Sequence, residues 1–291
     1  MVTINSITLP SPAKINLFLH ITGRRADGYH NLQTLFQLLD YGDQLTFTAT
    51  QSSTISLSPQ LDGVSAEDNL IMRAARLLQQ ATHSDSGCQI QLHKKLPMGA
   101  GLGGGSSNAA TTLLGLNQLW QTQLSLPQLE ELGRQLGADV PVFIRGRTAF
   151  AEGIGEQLTA LDLSQSWYLV VTPNVEVSTA QIFSHPELTR HSAPIKIRAL
   201  SEAQYRNDCQ PIVEQLYPPV KQALSWLQRY KKPLMTGTGA SVFCRFDSES
   251  QAVQAQTEVP EKWSSFVAPG VNLSPLHKQL ETINTGAWPS G

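Results

Sequence analysis

The chain has 291 residues, 41% hydrophobic and 15% charged, with a formal net charge of -2. That length suits two domains around a shared cleft, and the apolar content supports packed cores rather than disorder. The near-neutral balance excludes a global basic field, so no nucleic-acid partner is expected and any anion must be gripped locally. No run of about 18 apolar residues occurs and the opening residues carry no cationic leader, which predicts a cytoplasmic protein with no membrane partner. Cys88, Cys209 and Cys244 are odd in number and far apart, so reduced, partly buried thiols are expected. The histidines form no HExxH pattern, so no protein-built zinc site is expected, and any metal arrives with a substrate.

In chain order, alternating apolar residues at Ala13, Ile15, Leu17, Leu19 and Ile21 predict a strand with Lys14 and Asn16 on one face, and Gly23 to Gly28 predicts a polar turn. Leu32 to Leu39 predicts a second strand that ends at Tyr41-Gly42-Asp43, and Gln44 to Thr48 and Thr54 to Leu57 predict further sheet. Asp68 and Asn69 precede the apolar stripe of Leu70 to Leu78, the pattern of a capped helix. Ile90 to Leu92 predicts a strand, Leu96 to Ser107 a glycine-rich loop and Asn108 to Trp120 a helix. Pro127 and Gly137 bound a helix over Leu126 to Leu136, with Asp139 two residues beyond its stop. Trp167 to Val171 reopens a strand pattern, which sets a domain boundary near 160 and divides 1–160 from 161–291. The aperiodic tail from Thr285 to Gly291 is expected to fray.

The strongest local signal is Pro97-Met98-Gly99-Ala100-Gly101-Leu102-Gly103-Gly104-Gly105-Ser106-Ser107-Asn108. Glycines at a helix entrance let backbone N–H groups close around phosphate oxygens, and the helix terminus adds partial positive charge there. The run lacks the lysine of a Walker A loop. Gly99, Gly101 and Gly104 do fit the spacing of a dinucleotide loop, so an oxidoreductase is one alternative, and a plain solvent turn is another. A dinucleotide site should show a ribose-binding acid about 20 residues after the loop, at the end of a second strand. The first acids here are Glu130 and Glu131, inside a predicted helix.

Three segments together resemble the GHMP kinases: Ser11 to Leu17, the glycine run from Pro97, and Thr236-Gly237-Thr238-Gly239-Ala240-Ser241, in the family's order. Gly28-Tyr29-His30, Leu136 to Phe143 and Gly270 to Leu276 are similar to the family members that act on a cytidine-diphosphate-linked methylerythritol, and the resemblance spans essentially the whole chain. It implies an α+β, two-domain fold with ATP on the amino-terminal domain and a small-molecule acceptor in the cleft. The implied reaction moves the ATP γ-phosphoryl group to the acceptor's tertiary 2-hydroxyl, a step of non-mevalonate isoprenoid precursor synthesis. On this reading Lys14 and Asp139 are the catalytic pair: Asp139 accepts the hydroxyl proton and Lys14 holds the reacting oxygens. The loop through Ser107 binds the phosphates, while Asp68, Asn69 and Leu70 lie near adenine. Asn16 belongs to the acceptor set, Tyr29 and Phe183 give flat faces for the pyrimidine, and His30 meets its edge. Mg2+ accompanies ATP; its protein ligands are left open, with Ser107 a candidate. Duller roles exist: a solvated strand lysine for Lys14, a turn cap for Asp139, a core aromatic for Phe183. The rival readings are a GHMP kinase for mevalonate or homoserine and a non-catalytic GHMP-like sensor, and the presence of both Lys14 and Asp139 argues against the sensor.

Overall fold

The computed structural model describes residues 5–284, so the tail expected to fray lies outside the described residues. Strand β1 (Ser6–Arg24) and strand β2 (His30–Thr50) pair antiparallel along nearly their full lengths, joined by a turn at residues 25–29. From Ser11 to Ile21 every residue of β1 is buried, so both faces of the strand are covered there and the polar members must find partners inside the protein. The pairing register shifts between Pro12 and Lys14 and again between Asn16 and Leu19, irregularities that re-aim side chains. The break expected at Gly42 is not observed: β2 runs through it as one strand. Glycine is needed there for close approach, because a Cβ would stand 2.0 Å from the Ser11 carbonyl oxygen.

Strand β3 (Ile55–Ser58) lies parallel to β4 (Gly87–His93), which is antiparallel to β2. Between them, helix α1 (Leu70–Thr82) is capped by Asn69, whose Oδ1 accepts from the Ile71 N–H at 2.9 Å. Helices α2 (Gly104–Leu119), α3 (Leu126–Leu136) and α4 (Val140–Arg145) follow. All pack with β1, β2 and β4 in one core that includes Leu9, Phe47, Leu78, Leu113 and Phe143. The α3 bounds agree with the sequence reading, whereas α2 begins four residues before the expected Asn108 and α4 was not foreseen. The glycines at the start of α2 have poor helix propensity, but its body is buried almost all round, and packing overrides propensity. The dinucleotide reading fails on topology, since α2 leads to further helices and β4 pairs antiparallel with β2.

Strands β5 (Ala149–Glu152) and β6 (Gln157–Ala160) extend the first sheet from β2. The rest comprises β7 (Trp167–Pro173), α5 (Thr179–Ser184), α6 (Gln210–Leu216), α7 (Pro218–Leu227), β8 (Leu234–Met235), β9 (Val242–Phe246), α8 (Glu249–Gln256) and β10 (Trp263–Val271). Its antiparallel sheet has the order β10-β7-β9-β8, and β10 also joins β2 through Gly270 opposite Leu39 and Val271 opposite Leu38. Helix α9 (Pro275–Asn284) returns to the first core, burying Leu276. Cys88, Cys209 and Cys244 are free and fully buried rather than partly so, and burial pushes each thiol up to about 12. Among the described residues no helix is long and apolar enough to cross a membrane.

Leu113 is fully buried in the middle of α2. Leu113→Ala should lower the unfolding free energy by about 2–5 kcal/mol, read from urea denaturation, because it removes apolar contact and leaves a cavity. A change below about 1 kcal/mol would show that the helix collapses onto the gap.

Candidate active site

The irregular middle of β1 carries Lys14 into the interior, where it is only 3% exposed. Its Nζ lies 3.2 Å from Asp139 Oδ2, donates to Asn16 Oδ1 at 2.7 Å and to the Gly101 carbonyl at 3.2 Å, and stands 5.3 Å over the Phe36 ring. Burial excludes the solvated-strand role for Lys14. Asp139 occupies the N-cap position of α4, yet its side chain makes no cap hydrogen bond and turns to Lys14 instead. Asn16 is held from both sides, because its Nδ2 donates to Thr34 Oγ1 at 2.8 Å and its Oδ1 accepts from Thr236 Oγ1 at 3.2 Å. The same Thr236 hydroxyl reaches the Gly101 carbonyl at 3.1 Å, which links the second sheet's turn to the glycine loop. Gly101 has φ 76°, and a Cβ there would meet the Thr236 carbonyl oxygen at 2.3 Å, so both backbone conformation and space require glycine.

A buried carboxylate anchors the loop's approach. Asp43 Oδ1 accepts from the backbone N–H groups of Lys95 and Leu96, both at 2.8 Å. Its Oδ2 accepts from Lys94 Nζ at 2.8 Å and Asn108 Nδ2 at 3.1 Å. Ser11 Oγ reaches Asn108 Oδ1 at 2.7 Å and Ser107 Oγ at 2.9 Å, so Ser107 is fully buried and its hydroxyl is engaged in the packing. The neighbouring hydroxyl of Ser106 belongs to a residue that borders open space.

Two cavities meet at the loop. The smaller, about 330 Å³, is lined by Asp68, Asn69, Leu70 and the run from Pro97 to Ser106. The larger, about 1150 Å³, is lined by Lys14, Asn16, Tyr29, His30, Asp139 and Phe183. Gly99, Gly101, Gly103 and Ser106 line both. Gly103 caps α2 in the left-handed conformation without any side-chain cap, which leaves the helix's first N–H groups free to receive an anion.

At the far end of the larger cavity the predicted aromatic residues take different positions. Tyr29 is 61% exposed in the β1–β2 turn, whereas His30 is buried and its ring stacks on Phe183 with centroids 5.2 Å apart. Phe183 is therefore partly packed against the second core and partly a cavity wall. Arg190, for which the sequence offered no signal, donates from Nε to His30 Nε2 at 3.1 Å. Burial lowers the His30 pKa, and the charges of Arg190 and Arg24 lower it further. The structure thus brings the chosen residues to one bipartite cleft, apart from Ser107, which stands behind the loop. Sequence reasoning missed Asp43, Thr34 and Arg190. Thr236 lay inside a quoted motif without a role. Among the described residues no group of three or more His, Cys, Asp or Glu side chains could hold a metal ion.

A glycine loop that opens a helix between two adjoining cavities, with a lysine–aspartate pair at their junction, is the construction of a phosphoryl-transfer site on a small-molecule kinase. The GHMP kinase N-terminal domain model matches residues 69–147 and the GHMP kinase C-terminal model matches residues 185–265. The chain belongs to the GHMP kinases. It is 54% identical over 277 residues to a Pseudomonas aeruginosa protein named 4-diphosphocytidyl-2-C-methyl-D-erythritol kinase, covering 95% of this chain and 98% of that one. A Vibrio cholerae protein of the same name is 56% identical over 271 residues, with 93% of each chain covered. A crystal structure titled 4-(cytidine 5'-diphospho)-2C-methyl-D-erythritol kinase superposes with a TM-score of 0.80 at 33% identity, covering 91% of this chain and 99% of the other. A homoserine kinase from Cytophaga hutchinsonii shares the fold at a TM-score of 0.63 and 18% identity, covering 94% of this chain and 97% of that one.

Asp43→Ala would leave four donors without their acceptor, one of them a lysine ammonium. Loss of one partner of a buried pair costs about 3–5 kcal/mol, so the variant should unfold at markedly lower temperature. A melting temperature within a degree or two of the parent would show that other contacts hold the loop.

Proposed function

We propose that this chain transfers the γ-phosphoryl group of ATP to the 2-hydroxyl of 4-diphosphocytidyl-2-C-methyl-D-erythritol, a step of non-mevalonate isoprenoid precursor synthesis. The observation that carries this reading is the sharing of Gly99, Gly101, Gly103 and Ser106 by both cavities beside the Lys14–Asp139 pair. ATP in the smaller cavity would lay its phosphates on the loop and the α2 N-terminus, with adenine toward Asp68, Asn69 and Leu70. The γ-phosphoryl group would then face the larger cavity. That cavity's volume suits a nucleotide-linked acceptor and greatly exceeds what mevalonate or homoserine would fill.

Asp139 is the acceptor of the hydroxyl proton as the new O–P bond forms and the bond to the β,γ-bridging oxygen breaks, ADP leaving with that oxygen. Lys14 orients the carboxylate and stabilises charge on the transferring group, and it does so without reorganisation because its neighbours already hold it. Asn16 fixes the lysine and borders the acceptor. The residues present fit Mg2+ carried by the nucleotide: the ion keeps phosphate and water oxygens and needs few protein donors, and the Ser106 hydroxyl at the junction is a hard oxygen donor that would hold it. When bound, Mg2+ neutralises charge on the β- and γ-phosphate oxygens. At the other end, Tyr29 would stack on the cytosine, with His30 at its edge and Phe183 behind.

A phosphotransfer assay with ATP and Mg2+, offering the cytidylyl-methylerythritol, mevalonate and homoserine in parallel, tests the proposal; phosphorylation of either small acceptor alone would overturn it. Asp139→Asn should retain the fold and reduce kcat by about 10²–10⁴-fold, the usual scale for losing a positioned base. Near-parental turnover would remove Asp139 from that role. Tyr29→Ala should weaken binding of the cytidylyl acceptor by about 5- to 150-fold, the scale of one base–aromatic stack. Calorimetric titration should show ATP affinity unchanged, and a parallel loss of ATP affinity would contradict a role confined to the acceptor end.

A further inference from the structure

The geometry points to Arg190 as the positioning residue that fixes the hydrogen-bonding sense of His30 and thereby selects cytosine over uracil at the acceptor end, an inference that rests on the cytidylyl reading above. A guanidinium only donates, so the 3.1 Å contact from Arg190 Nε makes His30 Nε2 an acceptor. An imidazole whose Nε2 accepts is neutral and carries its proton on Nδ1. The charges of Arg190 and of Arg24, which pairs with His30 across the β1–β2 ladder, work against a second proton on the ring. His30 lines the larger cavity, and among the described residues its Nδ1 has no protein partner and is not one of the sealed unpartnered atoms. A single N–H donor is therefore presented to the ligand.

Arg190 is itself fully committed. Its Nη2 donates to the carbonyls of Phe183 at 2.9 Å and His185 at 2.7 Å, and its Nη1 donates to those of Leu188 at 3.1 Å and Pro186 at 3.4 Å. With Nε on His30, all its N–H groups are directed at protein acceptors, so it has no donor left for a diphosphate. The same side chain ties the end of α5, and with it Phe183, to the β2 terminus that carries His30. Cytosine offers an unprotonated N3, which matches an Nδ1–H donor, whereas uracil offers N3–H and would set donor against donor. A site built for a hydrogen bond discriminates strongly against a ligand that leaves its polar group unpaired.

Long-range 1H–15N spectra of the ligand-free protein, with His30 assigned by its loss in His30→Asn, should show a neutral ring protonated on Nδ1. In Arg190→Met the ring should move toward the Nε2–H tautomer. Steady-state kinetics should show the parent preferring the cytidylyl over the uridylyl acceptor. Arg190→Met should shrink the ratio of the two kcat/KM values by about tenfold, chiefly through a higher KM for the cytidylyl acceptor. Arg190→Lys, which keeps a donor, should restore part of the ratio. A parent ring protonated on Nε2 or on both nitrogens would overturn the inference, and so would an unchanged ratio in folded Arg190→Met. A purely structural role would depress both acceptors alike and leave the ratio intact. Should Arg190→Met fail to fold, the parent spectrum and the Arg190→Lys ratio still decide. If the parent phosphorylates neither acceptor, the functional reading fails, while the ring spectrum still decides the tautomer.

Discussion

The ammonium of Lys14 is the charge around which the cleft is assembled. An ammonium almost entirely withdrawn from water costs several kcal/mol unless anions and dipoles surround it. Its three oxygen partners come from different places: Asn16 from the same strand, Gly101 from the glycine loop, Asp139 from the start of α4. Thr236, from the turn between β8 and β9, supplies the hydroxyl that steadies both Asn16 and Gly101. The charge is satisfied only when strand, loop, helix and distant turn are all in place, so folding and preorganisation of the site are one event. Under the proposed reaction this also explains how the lysine can meet a developing negative charge with little rearrangement.

Asp43 has the converse problem and solves it in the same manner. A buried carboxylate gathers two backbone N–H groups, an ammonium and an amide at the two ends of the glycine run. The loop is consequently pinned before Pro97 and after Ser107, and at Gly101 in its middle. Between these points Gly103 opens α2 with no side chain competing for its first N–H groups. A flexible composition has become a fixed loop whose free N–H groups suit an anion, because the glycines supply conformations that other residues resist while neighbouring polar groups remove the freedom.

The parts of this site legible in the sequence were those that local pattern encodes. The glycine run, the capped start of α1 and the bounds of α3 follow from propensity and capping, while the family resemblance of Ser11 to Leu17 and of Leu136 to Phe143 pointed to Lys14 and Asp139. What was not legible depends on pairing across the fold. The unbroken course of β2 through Gly42 answers to the Ser11 carbonyl on β1, and the early start of α2 answers to burial that no local propensity records. Helix α4 is six residues long, too short for periodicity to register. Ser107 looked like a phosphate-facing hydroxyl because it follows the glycines, yet its contact with Ser11 turns it inward. Arg190 sits in an aperiodic stretch and meets His30 across 160 positions of chain, where neither charge pattern nor spacing gives notice.

The two sheets are joined in one ladder by two residue pairs of β10 and β2, and that junction is tightly bound. Gln37 Nε2 donates to the carbonyls of Leu38 and Val271 and to Thr148 Oγ1, each at 3.0 Å. Thr148 Oγ1 in turn reaches the Val271 carbonyl at 2.8 Å, and a Cβ at Gly270 would stand 2.8 Å from both Gln37 and Tyr168. A joint with so little slack fixes Phe183 and Arg190, beside the second sheet, relative to His30 and the glycine loop on the first. His30 on the first sheet and Phe183 beside the second then close the far end by stacking, with Arg190 bridging them. Under the proposed reaction an acceptor would have to reach from Asp139, where its hydroxyl is placed, to His30 and Tyr29, where its base is held. A short polyol could enter the cavity but would engage only one end, losing the binding energy that orients the reacting oxygen. Under the proposed reaction the joint between the sheets, distant from the reacting atoms, would therefore keep both walls of the base-binding end in place.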